Sequence, residues 1–233
     1  MSLSDAVVLV TGANRGIGLA FAREALARGA RVYAGARDPA SVTLDGVRAI
    51  RLDVTDADDV ARAARECGDV TLLVNNAGVA ATGGFLADTG LESTRRQLET
   101  NFFGTMRMSQ AFAPVLARNG GGAILNVLSI ASWLNRPLLG SYGATKSAAW
   151  ALTNGLRHEL RAQGTLVSAL HMGFVDTDLT RGIDVPKSPP EVIVRYALDA
   201  LERGAEEILA DEATRHVKRS LSSATPAYLE AAA

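Results

Sequence analysis

Short β-branched runs alternate with alanine-rich amphipathic segments along almost the whole chain, and this alternation restricts the fold more than any other feature. The run AVVLVTG (6–12) has the length and composition of a buried strand, and the helix predicted over 16–28 stops at Gly29. Further strands are predicted at 30–36, 47–53, 69–78, 123–129 and 165–173, with a seventh in EEILAD (206–211). Between them lie a helix that opens on the acidic residues of DADDVARAAREC (56–67) and helices predicted over 91–118, 141–163 and 190–203. Strands and helices in this order close right-handed βαβ crossovers around a parallel sheet covered on both faces. The expected fold is α/β, one doubly wound domain over residues 1–220 with about seven parallel strands, followed by a loosely held C-terminal tail at 221–233.

A length of 233 residues is enough for one large domain with a substantial core. With a net charge of −1, the chain offers no electrostatic reason to expect nucleic acid or an anionic membrane as a partner. Its one cysteine, Cys67, rules out an internal disulfide framework and reads as a packed thiol at a helix end rather than a nucleophile. The N-terminus runs into an apolar segment without a basic leader, and no apolar stretch approaches the roughly 18 residues of a membrane span, so a cytoplasmic location is expected. His158, His171 and His216 fall in different elements without metal-ligand spacing, and no metal site is expected.

Ligands of doubly wound sheets bind beyond the carboxyl ends of the strands. The first strand ends in TGANRGIG, whose glycines, Gly12, Gly16 and Gly18, let the chain turn sharply and bring backbone N–H groups close to a pyrophosphate. A tight turn is the other reading, but the place of the loop between first strand and first helix favours nucleotide binding by Gly12, Asn14, Arg15, Gly16, Ile17 and Gly18. At the end of strand two, Ala36 stands where NAD sites carry an acidic residue for the ribose hydroxyl, and Arg37 follows it. Arg15 and Arg37 are either solvated surface charges or the partners of a 2′-phosphate; together, and without a carboxylate at 36, they favour NADP. Asp38, beside Pro39, reads as a turn residue. Asp53, followed by Val54, is placed either to accept from an adenine amino group or to serve as a turn aspartate. Asn76, Ala77 and Gly78 close strand four with small residues and an amide suited to packing beside a cofactor. Asn101 is out of place on an apolar helix and marks a kink, a water site or a packed amide.

In SYGATKSAA (141–149), Tyr142 and Lys146 stand four residues apart, which puts phenol and ammonium on one helical face. A nearby cation favours the phenolate of a group whose ordinary pKa is near 10.

Over residues 5–210 the chain resembles the short-chain dehydrogenase/reductase family. The resemblance rests on TGANRGIG, NNAG at 75–78, Asn101, a serine after strand five, and Tyr142 with Lys146 in Y-x-x-x-K. The serine is Ser129, thirteen residues before Tyr142, with Ser132 fitting the strand register less well. One departure is Met172, where the family carries proline; Gly173, Val175 and Thr177 still match the cofactor-binding loop after strand six.

The resemblance implies a Rossmann-type fold and an NADPH-dependent oxidoreductase that interconverts a carbonyl and an alcohol by hydride transfer. It implies catalytic roles for Asn101, Ser129, Tyr142 and Lys146, with Tyr142 as acid/base and Tyr142 and Lys146 also binding the cofactor. It further implies a small-molecule carbonyl or alcohol substrate and a homodimer or homotetramer. A non-catalytic NADP-binding redox sensor or interaction protein is the competing class, and such sensors tend to lack the tyrosine or the lysine. Trp133, Leu134, Leu138 and Leu139, with Phe174, Leu179 and Ile183, either line an apolar substrate pocket or belong to the core or a subunit interface.

Overall fold

The computed structural model describes residues 1–87 and 90–230. In chain order the elements are β1 (Val7–Thr11), α1 (Gly16–Ala27), β2 (Arg31–Ala36), β3 (Arg48–Arg51), α2 (Ala57–Glu66), β4 (Leu72–Asn75), α3 (Gly90–Leu98), α4 (Thr105–Arg118), β5 (Ala123–Val127), α5 (Gly140–Glu159), β6 (Leu166–His171), α6 (Pro190–Glu202), β7 (Glu207–Leu209) and α7 (Glu212–Ser220). All seven strands run parallel in the order β3-β2-β1-β4-β5-β6-β7, the Rossmann-type arrangement expected.

Strand alternation sorts the core into two layers. Val8 and Val10 of β1 face the layer built by α1 and α6, where Phe21, Ile193, Leu198 and Leu201 are buried. Val7 and Leu9 face the opposite layer of α2, α4 and α5, where Val60, Met108, Phe112 and Leu156 are buried. Nearly every β1 residue is therefore apolar, as a strand covered on both faces requires. The order of strands reverses between β1 and β4, and the ends of those two strands with β5 and β6 form the cleft that a doubly wound sheet offers a ligand.

Three features differ from expectation. The helix predicted over 91–118 is two helices joined by a π-helical turn, Glu99–Gly104, and Asn101 lies in that turn. Helix α7 was not foreseen; its sequence is strongly polar, and it is started by Asp211, whose side chain accepts from the Thr214 N–H at 2.8 Å. The tail is partly docked: Pro226 and Ala227 are buried, and Arg136 donates to the Glu230 carbonyl at 3.0 Å. The last three residues of that tail lie outside the described residues. Among the described residues no helix is long and apolar enough to cross a membrane, and no group of three or more potential ligands could hold a metal.

Candidate active site

The ends of β1 and β4 are fastened by one threonine and one asparagine. Thr11 Oγ1 accepts from the N–H groups of Asn76 and Ala77, both at 2.9 Å. Asn76 Nδ2 donates to the carbonyls of Thr11 at 2.8 Å and Gly12 at 3.2 Å. The Asn76 amide thus holds the glycine loop in shape, and Thr11, to which the sequence reading gave no role, is its counterpart. The loop needs its glycines for two reasons. Gly12 and Gly16 have φ of 65° and 54°, in the left-handed region. A Cβ on Gly18 would lie 2.1 Å from the Gly12 carbonyl oxygen and 2.5 Å from Asn76 Nδ2, so only glycine lets α1 approach the loop. Helix α1 begins with no side-chain cap from Arg15, which leaves its first N–H groups for an anion.

At the end of β2, Ala36 is buried, brings no carboxylate, and is followed by the exposed Arg37. Asp38 is a turn residue as expected, accepting from the Ala40 N–H at 3.0 Å. Arg15 pairs loosely with Asp178 at 3.6 Å, Asn14 donates to Ser41 Oγ at 3.1 Å, and the Thr177 methyl lies 3.4 Å from where a Cβ on Gly16 would be. Asp53 uses Oδ1 in a turn, accepting from the Thr55 N–H at 2.9 Å and hydroxyl at 2.7 Å. Val54 is buried against Gly104 of the π-helical turn, where an added Cβ would meet its methyl group at 2.7 Å.

At the end of β5, Ser129 has extended backbone and opens a short 3-10 turn, with Oγ accepting from the Ala131 N–H at 3.1 Å. Its hydroxyl is near enough to the half-buried Tyr142 hydroxyl to favour the phenolate. Burial pushes Tyr142 up to about 12, and the nearby Ser129 hydroxyl opposes that shift. Lys146 is buried on the same face of α5, donates from Nζ to the Val127 carbonyl at 2.8 Å, and is pushed down to about 8 by burial. Its ammonium lies 5.6 Å from the centroid of the Tyr142 ring. The competing Ser132 is buried, and its hydroxyl finds no partner among the described residues.

Of the three readings of Asn101, the packed amide is present, inside the π-helical turn. Oδ1 accepts from the Val79 N–H at 2.8 Å, while Nδ2 donates to the Val79 carbonyl and to Thr145 Oγ1, each at 2.9 Å. Thr145 in turn donates to the Tyr142 carbonyl at 2.8 Å, a link the sequence reading missed. A Cβ on Gly78 would lie 3.3 Å from Asn101 Oδ1 and 3.9 Å from Lys146 Nζ, so this glycine leaves the two polar groups a shared space. Glycines at 12, 16, 18 and 78 and an uncapped helix start fit a nicotinamide dinucleotide, and β2 ends on Ala36 without a carboxylate, with Arg37 following it.

After β6, Met172 is buried in the core and Gly173 gives its N–H to Asp211 at 2.7 Å. Asp211 therefore both starts α7 and fixes this loop. Val175 is buried, and Thr177 and Thr180 cap one another around the short turn that follows. The Trp133 ring stacks on His171 at 3.9 Å and meets Trp150 edge-on at 6.2 Å. Phe85 and Leu138 are exposed beside the start of α5, where the Gly83 N–H donates to the Leu138 carbonyl at 2.9 Å.

Residues 6–187 match the family profile of the short chain dehydrogenases, and the chain belongs to that family of oxidoreductases. It is 37% identical to a short chain dehydrogenase from Burkholderia cenocepacia J2315 solved in complex with NADP, with 96% of this chain and 95% of that one covered and a TM-score of 0.92. Among curated relatives, the short chain dehydrogenase mpl6 of Monascus purpureus is 37% identical over 223 residues, covering 87% of this chain and 74% of that protein. A galactitol 2-dehydrogenase (L-tagatose-forming) of Cereibacter sphaeroides is 37% identical over 190 residues, covering 76% and 74% respectively.

Proposed function

We propose that this chain is an NADPH-dependent reductase that interconverts a carbonyl and an alcohol, with Tyr142 as the acid/base. The observation that carries the reading is the Tyr142 ring centroid 5.6 Å from the buried Lys146 ammonium on one face of α5, with Ser129 at the end of β5 near the phenol. NADPH, when bound, supplies the hydride. With its pKa raised to about 12, Tyr142 keeps its proton at neutral pH and is a donor to a carbonyl oxygen. Ser129, whose Oγ already accepts from Ala131, retains its own proton to hold that same oxygen. Lys146, at about 8, is mostly cationic at neutral pH and stabilises the negative charge that develops on the tyrosine oxygen. Asn101, through Thr145, fixes the turn of α5 that bears Tyr142.

In this reading the dinucleotide lies over Gly12, Asn14, Arg15, Gly16, Ile17 and Gly18, with Arg37 at the 2′-phosphate and Asp53 and Val54 at the adenine. Asn76, Ala77, Gly78, Tyr142, Lys146, Gly173, Val175 and Thr177 border its nicotinamide half. The NADP bound to the Burkholderia cenocepacia relative supports this choice of cofactor. The substrate is an apolar aldehyde or ketone, a choice supported by the exposed Phe85 and Leu138 beside the start of α5 and by Leu179 after β6. A homodimer or homotetramer in the cytoplasm completes the reading, and the single buried Cys67 suits a reducing compartment.

NADPH consumption over a panel of aldehydes, ketones, quinones and sugars tests the proposal. Aromatic or medium-chain carbonyls are expected to give the highest kcat/KM; preference for a charged or polyhydroxylated compound, as the name of the galactitol dehydrogenase would imply here, overturns the substrate class.

A further inference from the structure

His171, the last residue of β6, is fully buried beside Ser129 and has no part in the proposed chemistry. Its Nδ1 lies 3.1 Å from the Ser129 carbonyl oxygen. A carbonyl only accepts, so Nδ1 must carry the proton and Nε2 must be a bare acceptor. Nε2 finds no hydrogen-bond partner among the described residues. Burial drives the imidazole down to about 3; the Ser129 carbonyl opposes this, and the charges of Lys218, Arg157 and Lys146 add to it. The ring is thus neutral and fixed in one tautomer. Its plane is held by Trp133, stacked at 3.9 Å and 20°, while Lys218 sits 4.8 Å from the Trp133 ring centroid and pairs with Glu207 at 2.9 Å.

The serine is held from several sides. Leu128 and Ile130, its neighbours in sequence, donate to the carbonyls of Leu170 and Met172, both at 2.8 Å, so His171 sits between two rungs that flank Ser129. The Ala131 N–H holds Oγ, and His171 holds the carbonyl. An apolar side chain could fill the space around His171 without desolvating an unpaired nitrogen. The ring is accounted for by what Nδ1–H does.

We propose that His171 is a positioning residue, whose Nδ1–H grips the Ser129 carbonyl and so aims the serine hydroxyl at Tyr142. Its effect on turnover rests on the carbonyl chemistry proposed above, whereas the hydrogen bond itself does not.

His171→Leu keeps the bulk and removes the donor; His171→Asn places an amide N–H where Nδ1 stood. In His171→Leu, kcat is expected to fall by ~30-fold or more with KM and the NADPH Kd within about twofold, and His171→Asn should recover to within about threefold of wild type. Wild-type kcat in His171→Leu, or equal damage in both variants, overturns the positioning role. Long-range ¹H–¹⁵N NMR of the wild-type protein should show protonated Nδ1 and bare Nε2 from about pH 5 to 9. An Nε2–H tautomer overturns the proposal whatever the enzyme does and however the variants fold. A wild type inert towards every carbonyl would refute the proposed function instead, and the NMR result would still decide the hydrogen bond.

Discussion

Lys146 gives its ammonium to the Val127 carbonyl at 2.8 Å, not to the Tyr142 hydroxyl, and sits 5.6 Å from the centroid of the tyrosine ring. Among the described residues the buried lysine has no carboxylate partner, and the cost of burying it depends on pH. Its pKa falls from 10.5 to about 8 on folding, so below pH 8 both folded and unfolded chains carry the charge and the full penalty applies. Between about 8 and 10.5 the unfolded chain binds more protons than the folded one, so stability from this group rises with pH. In urea unfolding, wild type should gain up to ~3 kcal/mol on Lys146→Met as pH is raised through this window. Parallel pH profiles for the two proteins would show that the lysine is not charged and desolvated in the fold.

Arg37 is exposed at the end of β2, where Ala36 brings no carboxylate. Wild type is expected to prefer NADPH to NADH by more than ~10-fold in kcat/KM, and Arg37→Asp should remove or invert that preference by repelling the 2′-phosphate. Equal use of both cofactors by the wild type would refute the assignment of Arg15 and Arg37.

Gly18 and Gly16 should differ on substitution. A Cβ at 18 collides with the Gly12 carbonyl oxygen at 2.1 Å, whereas one at 16 meets only the Thr177 methyl at 3.4 Å with φ of 54°. Gly18→Ala is expected to cost ~2 kcal/mol or more and to abolish the rise in Tm on adding NADPH. Gly16→Ala should cost about 1 kcal/mol. The reverse ranking would mean that the packing of α1 on the loop is not as described.

The strands were legible because each is a short apolar run between turn signals, and their predicted ends lie within a few residues of those observed. The π-helical turn was not, since apolar spacing runs on through 91–118 and the turn is held by Asn101 pairing with Val79, which is 22 residues away. Asn101 nonetheless announced itself as an amide where an apolar side chain was due. Helix α7 escaped notice because its only buried residues are Thr214 and Val217, and its start depends on Asp211, which also binds Gly173. The spacing of Tyr142 and Lys146 placed both on one face, but it carried no information on the Val127 carbonyl that takes the ammonium. The stacking of Trp133 on His171 was hidden for a similar reason, since only the fold brings the two rings together.

The most direct measurement is Tyr142→Phe, which removes the phenol hydroxyl alone and leaves the ring beside Lys146. NADPH affinity, followed by cofactor fluorescence, should stay within about threefold of wild type while kcat on the best carbonyl substrate falls by ~10³-fold or more. Most of the wild-type turnover surviving in Tyr142→Phe on every substrate found would contradict the assignment of Tyr142 as the proton donor.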